Sequence, residues 1–166
     1  MEKDFEFYHA IKAKDLEKFK ALASGVKDFC GTVHPYHQSL LLHAALNGSY
    51  KISKFLIEHH CNVNEGDEKG YTPLHGAAEY DYPDIAKLLI ENNSRIDHED
   101  VYGNTPLLTA VFHFKDNLKI IDLLLKNGAD PFHENKSGVS PYSFAAKTKK
   151  KKVIDFFDEK GFEKMN

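Results

Sequence analysis

Residues 70–97 read GYTPLHGAAEYDYPDIAKLLIENNSRID, and this stretch decides the fold. Thr72-Pro73 places a capping hydroxyl before a proline at the first helical position. Leu74, Ala77 and Ala78 then fall at i, i+3 and i+4, one apolar stripe on a helix. After Asp81-Tyr82-Pro83 a second stripe begins, Ile85, Leu88 and Leu89, built from larger side chains. The stretch therefore reads as two short antiparallel helices followed by a loop. Alanine in the first helix allows close approach, and leucine in the second fills the core.

The same pattern recurs on both sides. SLLLHAALNG, TPLHGAAEYD, TPLLTAVFHF and SPYSFAAKTK begin at Ser39, Thr72, Thr105 and Ser140, at spacings of 33, 33 and 35. Each is followed by a second apolar segment, with stripes Ile52, Phe55, Leu56; Ile120, Leu123, Leu124; and Val153, Phe156, Phe157 outside the central copy. A fainter copy, FEFYHAIKAKDLEKFKALA, starts at Phe5 and carries Phe7, Ala10 and Ile11. The expected units are 5–38, 39–71, 72–104, 105–139 and 140–166, which leaves one repeat domain over 1–166. Gly48 and Gly128 sit where helices must stop in a left-handed conformation.

This pattern resembles the ankyrin repeat. The family signature is nearly complete in residues 70–97 and clear in GNTPLLTAVFHF, IIDLLLKNGADP and HHCNVN. The resemblance implies an all-α ankyrin-repeat solenoid of about five helix-turn-helix units with projecting hairpin loops. It also implies a concave face made by those loops and the first helices, and a structural role for His75 in tying adjacent loops together. Leu108 replaces the motif histidine in the fourth unit, and two extra residues fall between Val111 and Leu118. Lysines concentrate in the outer units, Lys12, Lys14, Lys18 and Lys20 at one end and Lys147 and Lys149 to Lys152 at the other, as capping repeats require.

Composition narrows the function classes. The 166 residues are 42% hydrophobic and 28% charged, the balance of a globular chain. No apolar run approaches the roughly 18 residues of a membrane helix, and the first six residues carry three acids, so neither a membrane span nor a secretory signal is expected. A net charge of −3 argues against a general nucleic-acid binder. The two cysteines, Cys30 and Cys61, allow at most one bridge, and a reducing cytoplasmic location is the simplest expectation.

Catalytic and metal chemistry find little support. His59-His60-Cys61 is the tightest ligand cluster, but adjacent histidines diverge on a helix end, and zinc needs four convergent ligands. His34 and His37 have no evident partners in sequence. Cys30 has only Lys27 nearby to activate it as a thiol. There is no nucleophile elbow, phosphate-binding glycine loop or H-E-x-x-H motif. No enzyme activity, metal, cofactor or small-molecule substrate is expected.

The surface is what remains. Loop tips carry Glu65, Asp67 and Glu68, then Asp97, Glu99 and Asp100, with Glu134 in a third loop. Units stacked in register would align these acids along one edge. Tyr80, Phe112 and Phe144 stand off the apolar stripes of first helices, with His113 following Phe112 and Tyr102 in a loop. Solvent-facing aromatics beside a charged edge have the composition of a binding hot spot. The expected partner-binding set is Glu65, Asp67, Glu68, Tyr80, Asp97, Glu99, Asp100, Tyr102, Phe112 and His113, facing a protein with a basic surface. The chain is expected to be a monomer alone. With no second module in view, binding itself is the expected activity, which favours an inhibitor or sequestering protein of the kind found among small ankyrin immunity proteins. An adaptor or regulatory subunit is the alternative.

Overall fold

The computed structural model describes residues 2–26, 29–30 and 38–162. Among them are ten helices and no strands, arranged as five consecutive pairs. First helices are α1 (Glu2–Ala13), α3 (Leu40–Leu46), α5 (Pro73–Glu79), α7 (Pro106–Phe112) and α9 (Pro141–Lys147). Second helices are α2 (Leu16–Ala23), α4 (Tyr50–Glu58), α6 (Pro83–Glu91), α8 (Lys119–Lys126) and α10 (Lys151–Glu159). Each first helix packs on its own second helix and on the first helix of the next unit, as α3 does on α5, α5 on α7 and α7 on α9. The all-α ankyrin solenoid expected from the sequence is the architecture observed.

Local chemistry explains the starts and stops. Ser39 Oγ accepts from Leu42 N at 3.2 Å, Thr105 Oγ1 from Leu108 N at 3.3 Å and Ser140 Oγ from Ser143 N at 3.1 Å. These hydroxyls satisfy amide donors that open a helix. Between the two helices of a unit the chain enters the left-handed region, at Lys14, Gly48, Asp81 and Lys149. It does so again after the second helix, at His60, Asn93, Gly128 and Gly161. There the following amide folds back on the helix, Cys61 N to Leu56 O at 3.1 Å, Ser94 N to Leu89 O at 3.0 Å and Ala129 N to Leu124 O at 3.0 Å. Glycine marked only part of this pattern in the sequence, because the turn imposes the conformation on lysine, aspartate, histidine and asparagine as well.

The first-helix stripes of the inner units are buried as expected, with Leu41, Ala44, Ala45, Leu74, Ala77, Leu107 and Val111 at 1% exposure or less. In the last unit the stripe position Tyr142 is half-buried and Ala146 is exposed, with no following unit among the described residues to cover them. The second-helix face is rotated from expectation. Ile52, Ser53 and Leu56 are buried, as are Ile85, Ala86 and Leu89, and Ile120, Ile121 and Leu124. Phe55, Leu88 and Leu123, which the i, i+3, i+4 stripe placed inside, are half-buried. The buried face is i, i+1, i+4 because a second helix is wedged between its own first helix and its neighbours along the stack. Small Ser53 and Ala86 fit that wedge, and a hydrophobicity pattern does not single them out.

Two further contacts were not legible in the sequence. Cys30 and Cys61 form a disulfide that ties the segment after α2 to the end of α4, so neither is a free thiol. The two-residue insertion before α8 is held from both sides. Lys150 Nζ donates to Phe114 O at 3.2 Å, Lys152 Nζ contacts Asp116 Oδ1 at 2.7 Å, and Asn117 Nδ2 donates to Asp81 Oδ2 at 2.6 Å. The C-terminal lysines thus clamp an irregular turn as well as capping the stack.

Candidate functional site

The loops stack through backbone contacts. Asp67, Asp100 and Asn135 occupy equivalent hairpin positions, and each side-chain oxygen accepts two amides of its own loop. Asp67 Oδ1 accepts from Lys69 N and Tyr71 N at 2.9 and 3.0 Å, and Asp100 Oδ1 from Tyr102 N and Asn104 N, both at 2.8 Å. Asn135 Oδ1 does the same for Ser137 N and Val139 N. Successive loops then join, Val101 N to Lys69 O at 2.7 Å and Lys136 N to Tyr102 O at 3.0 Å. Gly103 (φ 79°) is required by this approach, since a Cβ there would lie 2.9 Å from Lys136 N.

Beneath the loops, His75 ties the start of its helix to the hairpin loop that precedes the next unit. Its Nδ1 accepts from Thr72 N at 3.2 Å and lies 2.8 Å from Thr72 Oγ1, while Nε2 lies 3.0 Å from Asn104 O. A carbonyl only accepts, so Nε2 carries the proton and Nδ1 is the acceptor. Burial holds the imidazole down at a pKa of about 4, against the opposing pull of the Asn104 carbonyl. Leu108 takes this position in the next unit and makes no such tie.

Leu108 instead faces a groove of about 490 Å3 that runs across the last three units. One side is apolar, with Leu108, Phe112, Val139 and Phe144. The Phe112 and Phe144 rings stand 5.1 Å apart, and Phe112 is 57% exposed. The other side is polar, with Tyr71, Glu79, Asp100 and Asn104. Tyr71 donates its hydroxyl to Glu79 Oε2 at 2.6 Å, and burial followed by that bond pushes the phenol well above its ordinary range. A relay of amides, Asn135 Nδ2 to Asn104 Oδ1 at 2.8 Å and Asn104 Nδ2 to Asp100 Oδ2 at 3.0 Å, locks this polar side in place. Glu79 and His113 also line a second hollow with Tyr80, Asp81 and Lys115. The Glu79 charge is the largest cause raising the Tyr80 phenol.

The ten residues expected from the sequence fall into distinct environments. Phe112, His113 and Asp100 line the groove, and Tyr80, 52% exposed at the end of α5, lines the second hollow. Asp100 is itself 9% exposed, its carboxylate occupied by loop donors, and Asp67 is similarly engaged. Glu99 is exposed and lies 3.0 Å from His133 Nε2. Asp97 is half-buried, which raises its carboxyl above the usual value even though Asp130 N donates to it. Glu65 is half-buried, Glu68 exposed, and Tyr102 58% exposed at a loop tip. The acids therefore do not form one free row. Glu79 is the groove carboxylate that sequence reading missed, because it sits in an ordinary i+4 helix position after His75. Its helix is only seven residues long, so its side chain falls at the open edge.

Metal ligation has no support among the described residues, where no group of three or more histidine, cysteine, aspartate or glutamate side chains could hold an ion. His59 stacks on Phe55 with ring centroids 4.0 Å apart, and Cys61 is bridged. His34, His37 and Lys27 lie outside the described residues. No helix among them is long and apolar enough to cross a membrane.

Comparison with known proteins places this architecture. An 83-residue stretch is 35% identical to the protein phosphatase 1 regulatory subunit 27 of Mus musculus and to that of Homo sapiens. The match covers 50% of this chain and 54% of each relative, so it spans about half the length of these curated proteins. Residues 7–100 match the family model for ankyrin repeats in three copies, and residues 102–136 match the single ankyrin repeat. The chain belongs to the ankyrin-repeat family.

Proposed function

We propose that the chain is a non-catalytic, protein-binding regulatory module that acts by occupying a partner protein. The observation that carries this reading is the exposed aromatic groove. Phe112 and Tyr80 are more than half exposed beside hollows whose polar groups are already fixed by the fold. Large exposed aromatics on a rigid frame lose little entropy on docking, and they are the side chains that dominate interface energetics. Glu65, Glu68, Asp97, Glu99 and Tyr102 complete the proposed docking surface from their separate loops, with Asp67 and Asp100 shaping those loops. The exposed acids among them steer a basic partner.

The relatives are named as regulatory subunits of a phosphatase, which favours regulation over the immunity-type inhibition that the sequence alone put first. Protein phosphatase 1 is accordingly the first partner to test, followed by proteins recovered from the source cells. The experiment measures binding of the wild-type chain and of Phe112→Ala and Tyr80→Ala, together with partner activity in the presence of saturating chain. Weaker binding by both variants at unchanged melting temperature supports the reading. Wild-type affinity in both variants overturns it.

A further inference from the structure

The groove is chemically lopsided. Its apolar side offers Leu108, Val139 and two phenylalanine rings, and its polar side offers the Glu79 carboxylate, the Asp100 oxygens being taken by loop donors. No lysine or arginine lines it; Lys115 lines only the adjoining hollow, and Lys136 in the stacked loops donates its ammonium to Val101 O at 2.9 Å. Glu79 stands where the groove meets the second hollow. Its Oε2 accepts from Tyr71, and its carboxylate also acts on the Tyr80 phenol. In the second hollow Asp81 Oδ1 is buried with no hydrogen-bond partner, while Asp81 Oδ2 takes the Asn117 amide.

An apolar side chain seated here would strip water from Glu79 and return nothing to its charge. An anionic one would meet like charge. A long cationic side chain fits both sides, because its aliphatic stem covers apolar surface while its head reaches a carboxylate. Between the two cationic residues, the planar guanidinium is the better match. It stacks on aromatic faces and carries five donors in a planar fork that matches the Glu79 carboxylate.

We infer that the groove takes an arginine side chain, in preference to lysine, from an extended segment of the partner protein, with its stem on Leu108, Val139 and Phe112 and its head at Glu79. The substitution of Leu108 for the motif histidine is then functional. It trades an inter-loop tie for the apolar wall against which the stem lies. This inference rests on the proposed docking face and names what that face selects.

Titration of the full chain with N-acetyl-arginine amide, followed by methyl resonances of Leu108 and Val139, tests it. N-acetyl-lysine amide and N-acetyl-norleucine amide serve as comparisons. Saturable shifts are expected with the arginine amide, weaker ones with lysine and negligible ones with norleucine. Glu79→Gln is expected to weaken the arginine amide roughly fivefold or more, and Phe112→Ala to weaken it as well. Glu91→Gln, on the outer face of α6, is expected to bind as wild type. Melting curves accompany each variant, and exposed Phe112 provides a second variant if Glu79→Gln fails to fold.

Equal shifts from norleucine, no saturable shift at all, a preference for lysine, or undiminished binding by Glu79→Gln would each overturn the inference. Partner binding separates the two readings. If Phe112→Ala weakens the partner and Glu79→Gln does not, the docking face stands and the arginine assignment fails. If the arginine amide binds as expected while Phe112→Ala leaves the partner unaffected, the arginine site stands and the docking face lies elsewhere.

Discussion

His75 Nε2 lies 3.0 Å from the carbonyl oxygen of Asn104, 29 residues further along the chain. This single bond carries the helix-capping chemistry of a unit into the hairpin loop that leads to the next, and it requires a neutral imidazole. Protonation would place a second donor against Thr72 N at Nδ1, in a site stripped of water.

The first prediction follows from that requirement. The folded pKa is about 4 and the unfolded value about 6.5, so between these values the unfolded chain binds the proton and the folded chain does not. Stability from this group is complete above about pH 6.5 and is lost as pH falls toward 4, by on the order of 3 kcal/mol. Urea unfolding across that range should show the decline. His75→Leu, which copies Leu108, should flatten it while lowering stability at pH 7.

A second prediction concerns the rotated face of the second helices. Leu124→Ala and Leu89→Ala remove fully buried side chains and should destabilise by about 2–5 kcal/mol. Leu88→Ala, half-buried on the outer side, should cost less than either, and Lys87→Ala under about 0.5 kcal/mol. Denaturant midpoints rank the four, and an equal effect of Leu88 and Leu89 would show that the face is misassigned.

Asp100 and Glu99 are neighbours in sequence with opposite environments. Asp100→Ala leaves two loop amides and the Asn104 side chain without their acceptor and should cost about 1–3 kcal/mol. Glu99→Ala removes an exposed pair with His133 and should cost under about 1 kcal/mol. Thermal melts of the two variants discriminate a loop-building carboxylate from a surface one.

The Cys30–Cys61 bridge closes a loop over a sequence separation of 31. Chain-entropy arguments assign such a closure about 3–4 kcal/mol, so reduction should lower the unfolding midpoint by a corresponding amount. Cys61→Ser should melt near the reduced wild type, and the variant should be insensitive to reductant. A wild-type melt unchanged by reductant would argue against the bridge in solution.

Binding kinetics should separate edge charges from aromatic anchors. Reversing Glu65, Glu68, Asp97 and Glu99 should slow association and reduce salt sensitivity, because exposed charges act through steering. Truncating Phe112 or Tyr80 should raise the dissociation rate, with a loss above about 2 kcal/mol for a desolvated anchor. Lys149 to Lys152 should matter little to binding, since Lys150 and Lys152 hold the turn before α8. If only the lysine set alters binding, the partner is anionic and docks at the capping end.

The sequence by itself determined the repeat, the helix pairs and their caps, because these are set by local rules that recur every 33 to 35 residues. Thr72, Thr105 and Ser140 announce helix starts, and the alanine-rich stripes of α3, α5 and α7 announce a close-packed layer. The role of His75 was legible through its place in the TPLH turn. Exposed aromatics at Tyr80 and Phe112 were legible too, since they stand off the apolar stripes of their helices.

Tertiary structure decided what each polar group is free to do. Asp67 and Asp100 read as surface charges, yet their oxygens serve backbone amides that only a folded hairpin brings together. Glu79 read as an ordinary helix residue, yet the shortness of α5 and the stacking of α7 set it beside Tyr71 at the groove edge. Ser53, Ala86 and Ile121 entered the core because each second helix is wedged between neighbouring helices, whatever the size of the side chain at that position. Cys30 and Cys61 lie 31 residues apart in sequence, and stacking of the first two units brings their Cα atoms to 5.2 Å. In each case the deciding interaction joins residues from different elements, and their distance is fixed only when the units stack.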